Sequence, residues 1–188
     1  MHTILCTCLV LLLSASSLLA QDSASVAVTS PLHPEVHLLL GSNNDIDGSH
    51  APPYALGVRG CIDTPFWFYC GASFVYMFGG SYQSVSSGLI ITETRDLTLM
   101  FLELGFSIHA RSDFSIRGYG MVGSGNENRE VASSGTSLHN HYNEVCAGGG
   151  ISLQALLSSN WVAALDTKLY TGGRSGGLLT TLGIGYRF

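Results

Sequence analysis

From Glu35 onward, apolar and polar residues alternate with a period of two, the spacing of an extended strand and not of a helix. The pattern is plainest over 178–188. Leu178, Thr180, Leu182, Ile184, Tyr186 and Phe188 share one side there, and Leu179, Thr181, Gly183, Gly185 and Arg187 share the other. The same reading predicts strands over 35–41, 54–62, 66–78, 96–110, 114–123, 141–156 and 161–171. Each has one side dominated by Leu, Ile, Val or Phe. Several of these segments reach the roughly 9–11 residues that a tilted strand needs to cross a bilayer.

Nearly all the charges within these strands fall on the sides opposite the apolar ones. They are Glu35, Arg59, Glu103, Arg117, Glu144, Asp166, Lys168 and Arg187. Alternation alone does not say which side is inside, and a soluble lipocalin-like cup would turn its apolar side inward. In lipid the order reverses, because an Arg or Lys facing the bilayer midplane costs about 2–4 kcal/mol. Charges gathered on the sides opposite the apolar ones, four acids and four bases in all, therefore predict a lumen filled by an ionic network. Glu103 and Arg117, on consecutive strands but offset along the barrel, are expected to be linked in it across a diagonal or through one intervening side chain, with Asp166 and Lys168 bridging to Glu144 and Arg187.

Connections alternate in length. Polar stretches at 42–53, 79–95 and 124–140 read as long loops, while 63–65, 111–113 and 157–160 read as tight turns. Long loops at one end and short turns at the other are the habit of transmembrane barrels. The connection at 172–177 is short for a long-loop end.

Composition narrows the reading further. Of the 188 residues only 11% are charged, the formal net charge is −5, and glycine is abundant. No basic footprint for nucleic acid exists. Past residue 20 no apolar run approaches the roughly 20 residues of a spanning helix. Residues 1–20 combine a short apolar core with a small-residue end and are expected to be a secretory signal peptide, with 21–34 a flexible lead-in and 35–188 the barrel. Cys61, Cys70 and Cys146 remain after the signal. Cys61 and Cys70 fall on opposite sides of their strands, so no disulfide framework is expected.

The final residues carry a resemblance. Thr181, Gly183, Tyr186 and Phe188 form a polar–glycine–aromatic–aromatic series that is similar to the C-terminal signal of bacterial outer-membrane β-barrels. With the topology and alternation of 35–188, the chain resembles the small eight-stranded barrels of the OmpA and OmpX type. The resemblance implies an all-β, eight-stranded antiparallel up-and-down barrel in the bacterial outer membrane. It implies recognition by periplasmic chaperones and the barrel-assembly machinery, contact with lipid and lipopolysaccharide, and a monomer without cofactors. No peptidoglycan-binding domain is expected after the barrel.

Candidate chemistry lies in the loops. His139 and His141, with Glu144 nearby and His50 on another loop, are residue types that ligate metals, or that activate a nucleophile such as Ser137. No enzyme motif surrounds them, so they read as exposed polar residues, with no catalytic and no metal site expected. The Gly148–Gly150 run lacks the context of a phosphate loop. The leading expectation is a non-enzymatic membrane barrel with a plugged lumen and a structural, adhesive or surface-interaction role. The alternatives are an outer-leaflet lipid-modifying enzyme and a soluble barrel that binds an apolar ligand.

Overall fold

The structure is a computed structural model. It describes residues 33–46, 52–64, 67–86, 88–111, 113–133 and 135–188. The expected signal segment and residues 21–32 of the lead-in lie outside these.

Eight antiparallel strands close into a ring in sequence order, with β1 pairing both β2 and β8. They are β1 (His33–Asp45), β2 (Tyr54–Asp63), β3 (Phe68–Ser86), β4 (Leu89–Arg111), β5 (Phe114–Ser133), β6 (Thr136–Leu156), β7 (Trp161–Thr171) and β8 (Gly176–Arg187). Closure removes the sheet edge that an isolated sheet would expose.

The sheet is turned inside out relative to a soluble barrel. Leu40, Leu102, Phe106 and Leu182 are each 65–67% exposed on the outer surface, whereas Arg59, Glu103, Arg117 and Lys168 are at most 1% exposed inside. Such an outer surface is far larger and more continuous than the apolar patches a water-soluble monomer tolerates. Aromatic rings mark its two ends. Tyr54, Tyr76 and Phe78 group near the end of the long hairpins, and Trp161, Tyr186 and Phe188 near the end of the short turns. These are the positions of the interfacial girdles of membrane barrels.

Two of the expected long loops are strand. β3 and β4 remain paired up to Ser86 and Leu89, and β5 and β6 up to Ser133 and Thr136. Residues 80–86, 89–95, 124–133 and 136–140 thus continue the ladder past the apolar belt. Gly88 and Gly135, just before β4 and β6, have φ angles of 80° and 90°, which favour glycine. A bulge between Met77 and Gly80, with Gly79 at φ 82°, separates the belt part of β3 from its extension. β4 has 23 residues against 10 in β2, and the surplus runs about 40 Å along the strand. β3 to β6 therefore rise as a four-stranded sheet beyond one rim. The opposite rim carries only short turns.

Candidate functional site: the filled lumen and the protruding sheet

The lumen is layered along its axis. Nearest the short turns, Arg117 donates to Asp63 and, at 2.9 Å, to Glu35. Glu35 also receives Arg187 at 2.8 Å and the His37 ring at 3.0 Å. One layer further in, Glu103 receives Arg59 at 2.8 Å, Tyr69 at 2.5 Å, Ser73 at 2.8 Å and Lys168. Arg59 reaches across the ring to Asp166 at 3.1 Å, and Tyr119 donates to the same carboxylate at 2.6 Å. In this inner cluster two acids meet two bases, and both carboxylates also accept phenol protons. That satisfaction is what makes ions tolerable in a low-dielectric interior.

Two glycines make room for the phenols. A Cβ at Gly71 would stand 2.6 Å from the Tyr69 oxygen, and one at Gly150 would stand 2.5 Å from that of Tyr119. The Tyr69 ring also joins the two ionic clusters, with the guanidinium carbons of Arg117 and Arg59 at 5.0 and 5.3 Å from its centroid.

Beyond these layers the interior is apolar. Val75, Met77, Leu97, Leu99, Phe101, Tyr170 and Leu179 fill it and are buried. Arg95 and Glu127, paired at 2.7 Å, cover that layer on the long-hairpin side. Above it Arg129 pairs with Glu93 at 2.6 Å.

Glu103 and Arg117 do not pair directly; Tyr69 is the one side chain between them, an arrangement their offset allows, and each has other ionic partners. The other expected linkages are drawn differently. Asp166 and Lys168 serve Arg59 and Glu103 and do not bridge to Glu144 or Arg187. Glu144 stands apart at the long-hairpin rim, accepting the backbone N–H of Arg174 at 2.7 Å and the hydroxyl of Ser175. Sequence reasoning placed Asp63 in a turn and Arg95 and Glu127 in loops. The period-two parity that places Glu103 and Arg117 inside also holds for Arg95 and Glu127, beyond the apolar belt.

In the final strand, Thr181 and Gly183 line the lumen side while Tyr186 and Phe188 pack edge to face outside, with centroids 5.1 Å apart. The Phe188 N–H donates to the Pro34 carbonyl at 3.0 Å. Cys61, Cys70 and Cys146 are free thiols.

Among the described residues one group has metal-ligand spacing: Glu35, His37 and Cys61, with ligand atoms within 4.8 Å of one another. Arg117 occupies the cation position there. Its guanidinium is 2.9 Å from the Glu35 carboxylate and 3.3 Å from the Cys61 sulfur, and a metal would have to displace it. Nor is a nucleophile assembled near His141. Its Nδ1 meets Asn128 at 2.7 Å, His139 faces Glu130 at 3.7 Å, and among the described residues no hydroxyl hydrogen-bonds either ring.

No protein-family model matches the chain, and no curated protein does. Solved structures do. Ail, the attachment invasion locus protein of Yersinia pestis, superposes with a TM-score of 0.52 at 18% identity, over 84% of this chain and 97% of that one. Ail in complex with the heparin analogue sucrose octasulfate gives 0.53 at 15% identity over the same shares. A major outer-membrane protein of Thermus thermophilus gives 0.65 at 10% identity, covering 85% of this chain and all of that one. At such identities the likeness is one of fold. Ring closure, inverted polarity and these superpositions agree: the chain is an eight-stranded antiparallel β-barrel with the fold of bacterial outer-membrane proteins.

Proposed function

We infer that this protein is a non-enzymatic, monomeric resident of the bacterial outer membrane, with a lumen closed to solutes and a surface-interaction role carried by the β3–β6 sheet. The observation that carries the reading is the contrast between the two rims. Short turns close one, and paired strands rise far beyond the apolar belt at the other. Membrane barrels keep their short turns in the periplasm and their long connections outside, which directs the sheet toward the environment. Lipid and lipopolysaccharide would be the neighbours of the belt. Thr181, Gly183, Tyr186 and Phe188 would be read by the assembly machinery before insertion. Glu35, Arg59, Glu103, Arg117, Asp166, Lys168 and Arg187, with the apolar layer above them, would plug the lumen.

Ail is by name an attachment protein and was crystallised in complex with the heparin analogue sucrose octasulfate, an anionic ligand. The formal net charge of −5 here argues against a polyanion as the partner of this sheet.

Orientation and role are tested together in cells. Thr136→Cys, exposed at the tip of the β5–β6 hairpin, should react with a membrane-impermeant maleimide in intact cells. Ser159→Cys, at a short turn, should react only after the outer membrane is permeabilised. Cells carrying barrels shortened by removal of residues 129–140 should lose attachment to surfaces while keeping the barrel in the membrane. Labelling of Ser159→Cys alone in intact cells, or undiminished attachment after shortening, would refute the reading.

A further inference from the structure

The outer face of the protruding sheet is polar and carries an unassigned group of side chains. The register of β4, β5 and β6 sets two rows there, Thr94–Glu130–His139 and Asp96–Asn128–His141. Side chains of both rows wall a depression of about 270 Å³, and the backbone of the row between them forms its floor. The cations of this part of the sheet, Arg95 and Arg129, pair with Glu127 and Glu93 on the opposite face. The outer rows therefore hold two carboxylates and no arginine or lysine.

From this arrangement we propose a binding site for a divalent transition-metal ion, with His139 and His141 of β6 and Glu130 of β5 as its ligands. His139 and His141 are two residues apart on one face, about 6.7 Å along the strand, so both rings can close on one ion. Glu130 lies directly across the ladder from His139, and its carboxylate is 3.7 Å from the ring Nε2. Asn128, across from His141, supplies the orienting contact. Its side-chain oxygen lies 2.7 Å from Nδ1, which fixes the proton on that nitrogen and leaves the Nε2 lone pair for metal. Two imidazoles, a carboxylate and a water complete a tetrahedral shell of the kind Zn²⁺ takes. The three side chains are exposed or half-exposed, so bringing their ligand atoms together requires only side-chain rotation, which exposed residues make in picoseconds to nanoseconds. Asp96 is engaged by the Tyr76 hydroxyl at 3.1 Å and supports the negative potential without ligating. The nitrogen donors favour Zn²⁺, Cu²⁺ or Ni²⁺ over the hard cations Ca²⁺ and Mg²⁺.

The test titrates Zn²⁺ into the untagged barrel in detergent micelles, against a chromophoric chelator. Each variant is first shown to be folded by its heat-modifiable gel mobility. The unmutated protein should take up a single equivalent of Zn²⁺ per chain that an equal concentration of Ca²⁺ does not displace. His139→Ala and His141→Ala should each abolish that equivalent. Asn128→Ala should weaken it roughly 10- to 100-fold, as loss of an orienting partner does. His109→Ala, at the opposite rim, should bind as the unmutated protein does. Retention of the equivalent by the His139→Ala/His141→Ala double variant, or its displacement by Ca²⁺, would overturn the proposal.

Discussion

Glu103→Gln is the most informative perturbation of the lumen. The side chain is fully buried and receives Arg59, Lys168, Tyr69 and Ser73. Substitution leaves the shape almost unchanged but turns a neutral cluster of two acids and two bases into one with an uncompensated positive charge. It also points an amide N–H₂ toward groups that are themselves donors. Breaking a buried ion pair by removing one partner costs about 3–5 kcal/mol. At about 1.4 kcal/mol per factor of ten, this is a drop of roughly 10²- to 10⁴-fold in the folded-to-unfolded ratio. Urea unfolding in lipid vesicles, followed by Trp fluorescence and extrapolated linearly, measures the change. Glu103→Gln/Lys168→Met restores neutrality and should recover a large part of the loss, giving a coupling energy within the roughly 0.5–3 kcal/mol seen for interacting pairs. A single-variant cost below about 1 kcal/mol, together with no coupling, would show that water solvates these charges and that the pairing argument fails.

Leu104→Arg, which faces outward within the belt, should cost about 2–4 kcal/mol in the same assay, while Thr94→Arg on the same face above the belt should be near neutral; equal costs would contradict the assignment of the belt to lipid. Gly150→Ala should force the Tyr119 phenol from its place beside Asp166 and cost about 1–3 kcal/mol by overpacking, whereas Gly149→Ala, whose added Cβ would have only the Tyr119 carbonyl oxygen within 4 Å, at 3.1 Å, should be milder in parallel melts. Removing Phe188 should lower the amount of heat-modifiable barrel recovered from the outer membrane, and undiminished recovery would refute the assembly role of the final strand.

The barrel was legible in the sequence because lipid imposes a two-sided chemical test on every strand. Val36, Leu38 and Leu40 alternate with Glu35, His37 and Leu39, and only one side of such a strand can meet hydrocarbon. Above the belt neither side meets hydrocarbon, so that test lapses. Thr92 to Asp96 and Asn126 to Glu130 are polar on both faces, and periodicity cannot separate such strands from loops. A weaker signal lay in the glycines at 88 and 135, each flanked by β-capable residues and suited to a two-residue hairpin. Individual ionic partners were less legible than the inward placement of the charges. Partners depend on strand stagger around the ring: Arg59 reaches Asp166 from the opposite wall, a contact no local spacing encodes. The same limit applies to the histidines. His139 and His141 gain their chemical setting from Glu130 and Asn128, which only the β5–β6 register brings alongside them.

Planar-bilayer recording of the unmutated barrel tests the central claim, a membrane-spanning barrel with a closed lumen, most directly, provided that the same preparation resists carbonate extraction from vesicles. On the proposed closed lumen, with two ionic layers and an apolar layer across the bore, the inserted protein should show no stable single-channel steps. Large, steady steps from the inserted protein would contradict the account.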